Sequence, residues 1–135
     1  RPMRFLLDTN ICIYIIKKKP RQVIDIFLTL PIGSVGISSI TLAELQYGIA
    51  KSNNVEKNRE ALEKFLTPFE VFDFDQSAAN CYGDIRAELE KMGTPIGSLD
   101  MLIAAHARSL DVILVTNNEK EFVRIMDLKI ENWAK

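Results

Sequence analysis

Arg4-Phe5-Leu6-Leu7-Asp8-Thr9-Asn10 is the stretch whose reading decides the fold. A short apolar run stops abruptly at three residues that cap helices and make turns, which predicts a buried strand delivering the chain into a helix. Ile11, Tyr14 and Ile15 then recur at helical spacing, so the expected order is strand, turn, helix.

Working outward, the same order repeats. Pro20 separates the first helix from a second that carries Val23, Ile24, Phe27 and Leu28 on one face. Residues 34–37 read as the next strand, followed after Ser38 and Ser39 by a helix with Leu42, Leu45, Ile49 and Ala50. A further helix from about Glu56 carries Leu62, Phe65 and Leu66 and ends at Pro68. Residues 69–74 alternate in the manner of an edge strand. A long helix from Gln76 closes on Lys91 and Gly93, a cation at the negative dipole end and a residue that accepts positive φ. Ser98 is the expected cap of a helix over 99–109, which feeds the strongest strand pattern, 112–115. Asn117 and Asn118 punctuate that strand, a short helix holds Phe122, and 128–133 reads as a last strand. Strands alternating with helices mean an α/β fold on a parallel sheet. Residues 3–135 read as one domain, and Arg1 and Pro2 ahead of Met3 look like a cloning remnant.

Of the 135 residues, 47% are apolar and 26% charged, enough for one buried core and incompatible with disorder or a fibrous repeat. Seventeen Lys and Arg against 18 Asp and Glu leave a net charge of -1, so a polyanionic partner must be held by a local basic patch or through metal ions. No apolar run approaches a membrane span, and Asp8 and Asn10 interrupt the N-terminal one, so a cytoplasmic protein is expected. Cys12 and Cys81 both fall in apolar-periodic segments and read as free, buried thiols of a reducing compartment.

The acids carry the chemistry. In open parallel sheets, ligands collect beyond the carboxyl ends of the strands. Asp8 lies at the end of the first strand, Glu44 just inside the helix after the second, and Asn117 and Asn118 after the 112–115 strand. Asp100 opens the helix that runs back antiparallel to that strand, which returns it to the same rim. Singly, each has a structural explanation: Asp8 as a helix cap, Thr41 with Glu44 as a capping box, Asp100 as compensation for a helix dipole. Together they do not, because two carboxylates about 5 Å apart repel by roughly 3 kcal/mol at an effective dielectric near 20. Oxygen ligands gathered at one rim suit Mg²⁺ or Mn²⁺, ions that exchange water for phosphate oxygens. That points to phosphoryl-ester chemistry.

At these residues the chain resembles PIN-domain ribonucleases, and within them the VapC toxins of bacterial type II toxin–antitoxin systems. The likeness rests on 5–10, 37–45 with Tyr47-Gly48, 85–89 running into Pro95-Ile96-Gly97, Asp100 with Ile103-Ala104, and 115–118 followed by Glu121-Phe122. It implies a Rossmann-like three-layer sandwich on a mainly parallel five-stranded sheet, a homodimer, and Mg²⁺- or Mn²⁺-dependent cleavage of structured RNA that inhibits translation. The implied target is a tRNA anticodon stem-loop, initiator tRNA foremost, with ribosomal RNA as the alternative. By position Asp8, Glu44 and Asp100 match the family's metal ligands, and Asn118 falls where a fourth acid stands, with Asn117 and Glu121 as neighbours. Thr9, Ser39 and Thr116 match supporting positions. The resemblance further implies a VapB antitoxin whose C-terminal segment wraps the toxin and offers an Arg to the acids, a pairing that a guanidinium suits. Operator DNA is then contacted only through the antitoxin.

Lys17, Lys18 and Lys19, with Arg21 close behind and Arg86 on a later helix, are the candidate RNA contacts, against the commoner meaning of a solvated helix end. A dehalogenase-like phosphatase would need an Asp where Asn10 stands, and acyl transfer or zinc hydrolysis lacks the histidines and cysteines. The non-enzymatic rival is a PIN-like interaction module that has lost its metal. His106, the one histidine, is expected to be a packed or partly exposed helix residue and not a base.

Overall fold

The computed structural model describes residues 3–135, so Arg1 and Pro2 lie outside the described residues. In chain order its elements are β1 (Phe5–Leu7), α1 (Thr9–Lys17), α2 (Arg21–Leu28), β2 (Val35–Ser38), α3 (Ser39–Ala50), α4 (Val55–Leu66), β3 (Glu70–Phe72), α5 (Gln76–Lys91), α6 (Ser98–Leu110), β4 (Ile113–Val115), α7 (Glu119–Phe122) and β5 (Ile130–Glu131). The sheet order is β3-β2-β1-β4-β5, and every pair is parallel. The expected "mainly parallel" sheet is thus wholly so, because a helix intervenes in every connection and returns the chain to the same edge.

β1 sits in the middle, with Phe5 in register with Val35 on one side and Ile113 on the other. Its three residues are fully covered, which is why the run shows no polar alternation. The pleat sends Phe5 and Leu7 into one core with Ile11, Val23, Ile37, Leu45, Leu62 and Trp133, and Leu6 into the other with Ile85, Leu89, Ile103, Leu114 and Phe122. The second core is dense because α6 offers Ala104, Ala105 and Ala107, small enough for α5 to lie close against it. No helix among the described residues is long and apolar enough to cross a membrane.

Several local expectations shift. Asp8 is itself the cap, so α1 begins at Thr9, two residues before Ile11. α3 is capped by Ser38, whose Oγ accepts the Ile40 N–H at 3.0 Å. Thr41 and Glu44 therefore form no capping box, and the Thr41 hydroxyl is buried without a partner. α6 is preceded by Gly97 with no side-chain cap, and Ser98 is its first residue. Gly93 follows α5 at φ 71°, as the αL reading required. Cys12 is buried, and burial with Asp8 nearby holds its thiol well above the usual range. Cys81, expected to be buried, is only half so.

Gly36 in β2 lies under the edge strand, where an added Cβ would stand 2.8 Å from Phe72 Cε1 and 3.1 Å from the Glu70 carbonyl oxygen. Gly36→Ala should cost about 1–3 kcal/mol by forcing β3 outward. A denaturant midpoint equal to that of the parent would show that β3 moves freely.

Candidate functional site

Three helix N-termini meet the carboxyl edge of the sheet, and each brings an acid. Asp8 follows β1 directly: its N–H donates to the Val115 carbonyl at 3.0 Å, and its Oδ1 accepts the Ile11 N–H at 3.0 Å. It is 5% exposed. Burial pushes its carboxyl up from 3.8 to about 6, with the Asp100 and Glu44 charges adding to the rise and hydrogen bonds from Thr116 and the Ile11 N–H opposing it. Two carboxylates from distant parts of the chain thus reach Asp8 electrostatically.

Glu44 lies in the second turn of α3, where Thr9 Oγ1 donates to its Oε1 at 2.6 Å. The first residue of α1 therefore holds the acid of α3. Asp100 is in the first turn of α6, and its carboxyl is raised by partial burial, then by Glu121, then by Glu44. The charges of Asp8, Glu44 and Glu121 thus gather around Asp100 at one rim.

The remaining candidates divide. Thr116 supports Asp8 and accepts the Asn118 N–H at 3.0 Å. Asn117 Nδ2 donates to the Tyr14 hydroxyl at 2.7 Å, which commits the amide to α1. Asn118 stands before α7 without a side-chain capping bond. The acid that Asp100 feels from this segment is Glu121, the neighbour of Asn118 in the expected site. The available signal was its place one residue before the core-filling Phe122, which anchors α7. Ser39 Oγ accepts the Phe74 N–H at 3.1 Å and so serves the chain leaving β3, not the acids.

Among the described residues no three acids, histidines or cysteines are drawn together into a finished ion cage. The donor set nonetheless fits a divalent cation: all oxygen, net negative, with two carboxyls raised by burial first and by neighbouring carboxylates after it. Of the basic candidates, Lys17 lines a groove of about 250 Å³ with Glu44, Ile13 and Leu45, between α1, α3 and α4. Lys18 and Lys19 are exposed just beyond α1. Arg86 is held along α5 by Glu90 at 3.1 Å and the Tyr82 hydroxyl at 2.9 Å.

Comparison with known proteins places this geometry in context. The PIN domain profile matches residues 5–128. The chain is 48% identical over 132 residues to the tRNA(fMet)-specific endonuclease VapC of Shigella flexneri, covering 98% of this chain and 99% of the relative. It is 47% identical to ribonuclease VapC2 of Rickettsia felis over 134 residues, 98% of this chain and 100% of the relative. Among solved structures, DNA-bound VapBC from Salmonella typhimurium superposes with a TM-score of 0.91 at 47% identity, covering 97% of this chain and 98% of the other. VapBC2 from Rickettsia felis bound to a promoter DNA fragment gives 0.90 at 46% identity, with 97% and 99% covered.

Between pH 3.8 and about 6, folded Asp8 keeps a proton that the unfolded chain releases, so metal-free stability falls as pH rises through that window. Asp8→Asn, whose Oδ1 still caps α1, should therefore stabilise the metal-free protein at pH 7 by on the order of 1–3 kcal/mol and flatten its stability between pH 4 and 6.5. Thermal melts in chelator across that range check both; an unchanged pH slope would remove the burial penalty from Asp8.

Proposed function

Because this chain belongs to the PIN-domain family, in which its relatives are VapC ribonucleases, we propose that it is the toxin of a toxin–antitoxin pair that cuts tRNA by metal-dependent hydrolysis. The observation that carries the chemistry is the coupled rim of carboxylates around Asp8. Asp8, Glu44 and Asp100 are the residues to hold Mg²⁺ or Mn²⁺, and Glu121, in place of Asn118, supplies the fourth acid. When bound, such an ion brings positive charge to the scissile phosphate and lowers the pKa of attacking water.

The chain's own residues do the rest. Thr9 keeps Glu44 turned toward Asp8, and Thr116 holds the Asp8 carboxyl. A rim of net negative charge repels the RNA backbone until the acids are neutralised, so substrate and ion are expected to bind cooperatively. The product ends are a 3′-hydroxyl and a 5′-phosphate, the result of water attack that spares the ribose 2′-hydroxyl. His106 takes no part as a base, since it is buried with its Nδ1 2.7 Å from Ser38 Oγ.

The relatives named tRNA(fMet)-specific endonucleases favour initiator tRNA over ribosomal RNA and a nuclease over an inert interaction module, and the anticodon stem-loop is the proposed place of the cut. A VapB-type antitoxin is the proposed partner, as in the complexes the fold resembles, with operator DNA reached through it. The working form is a homodimer, and a tRNA target sets its place in the cytoplasm.

Incubation with total bacterial tRNA, followed by mapping of new 5′ ends, tests the reading. Discrete Mg²⁺-dependent cuts are expected in initiator tRNA, with Asp100→Asn and Glu121→Gln each lowering the rate at least about 100-fold while Asn118→Ala loses less than about tenfold. A folded protein without metal-dependent cuts in tRNA or ribosomal RNA would overturn it. Reversing the charge of Lys17, Lys18 and Lys19 should weaken tRNA binding and reduce its salt slope by about two; an unchanged slope would make these lysines a solvated helix end.

A further inference from the structure

We propose that His106 is a positioning residue for the acidic site, fastening the start of α3 to the middle of α6 and so setting the distance between Glu44 and Asp100. The inference rests on the reading of those two carboxylates as metal ligands.

The two acids ride on helices that enter the site from different connections, and nothing in either helix alone determines their separation. His106 Nδ1 lies 2.7 Å from Ser38 Oγ, a contact spanning 68 residues of sequence. Ser38 is the cap of α3 and accepts the Ile40 N–H through the same oxygen. One hydroxyl thus joins the first turn of α3 to the ring, its second lone pair or its proton meeting Nδ1 according to the tautomer. The ring is neutral because burial outweighs the approach of Asp75 and Asp73. Both members of the pair are essentially inaccessible, at 1% and 0% exposure, so the bond has no water to exchange with.

The contact is closed on its other side. Phe74 packs edge-on against the imidazole, with centroids 5.5 Å apart, while its N–H donates to Ser39, the residue after Ser38. Histidine, both serines and Phe74 thus form a ring of contacts that pins the first turn of α3. Ser38 precedes Glu44 by six residues and Asp100 precedes His106 by six, about 9 Å of helix in each case. A shift at the clamp is carried up both rigid helices to the carboxylates. A leucine would fill the volume of the ring, but it offers nothing to the hydroxyl that caps α3.

The test measures Mn²⁺ binding to metal-free protein by the free-ion EPR signal, with no substrate present. His106→Leu and Ser38→Ala should each weaken Mn²⁺ roughly tenfold, the double variant no more than either, and His106→Asn should return to within about threefold of the parent. Val23→Ala, a core truncation on α2 that lowers the melting temperature without touching the clamp, should bind as the parent does. Parent-like affinity in His106→Leu overturns the inference, and so does an equal loss in Val23→Ala, which would mean general loosening. If His106→Leu does not fold, His106→Asn against His106→Gln decides. The asparagine amide reaches where Nδ1 stands and the glutamine amide extends past it, so equal affinities overturn the proposal. A parent protein that takes up no Mn²⁺ overturns the metal reading, and this inference with it.

Discussion

The mutual repulsion of carboxylates gathered at one edge of the sheet is the interaction on which the rest of the site depends. Asp8 is nearly inaccessible and has Asp100 and Glu44 as electrostatic neighbours, and among the described residues no cation adds to its surroundings. The scaffold offsets this partly through helix ends. Asp8 caps α1 and Asp100 lies in the first turn of α6, so two helix N-termini favour the negative charge, while Glu44 in the second turn of α3 relies on Thr9. The capping role of Asp8 and its place in the acidic group are therefore one arrangement. The same bond that starts α1 aims the carboxyl at its neighbours.

Hydroxyl groups do the supporting work. Thr9 holds Glu44, Thr116 holds Asp8, and Ser38 ties α3 to His106. A hydroxyl suits this task because it can donate to a carboxylate or ring nitrogen while accepting from a backbone N–H, and it adds no charge to a crowded site. Thr116 and Ser38 each accept a backbone N–H, and they lie against Asp8 and His106 respectively. Supports of this kind leave the negative field intact for an ion, whereas a lysine or arginine in the same place would cancel it.

The fold was legible in the sequence wherever periodicity and punctuation agreed. The run Phe5-Leu6-Leu7 before Asp8, the helical spacing of Leu62 with Phe65, and the Gly93 turn all stand where local rules put them. Edges were less legible. β5 spans two residues where six read as strand, because an outer strand with one neighbour keeps pairing only where the register is satisfied. Helix starts also moved, since Ser38 outcompetes Thr41 as a cap once β2 delivers the chain at the right angle.

Asp8, Glu44 and Asp100 could be assigned to one rim from sequence because each follows a strand or opens a helix, and in a parallel sheet these positions share an edge whatever the packing. What the sequence by itself determined was the α/β order, the carboxyl-edge placement of the acids and the oxygen-only chemistry, all of which follow from local periodicity and residue type. Only the tertiary structure showed that the charge of Glu121 reaches Asp100, that Ser39 serves Phe74, and that the lone histidine meets the serine that caps α3. Those outcomes turn on which of several neighbouring side chains a helix rotates inward. That rotation is set by packing between elements far apart in the chain, through Phe122 under α7 and the alanines of α6, and no local pattern records it.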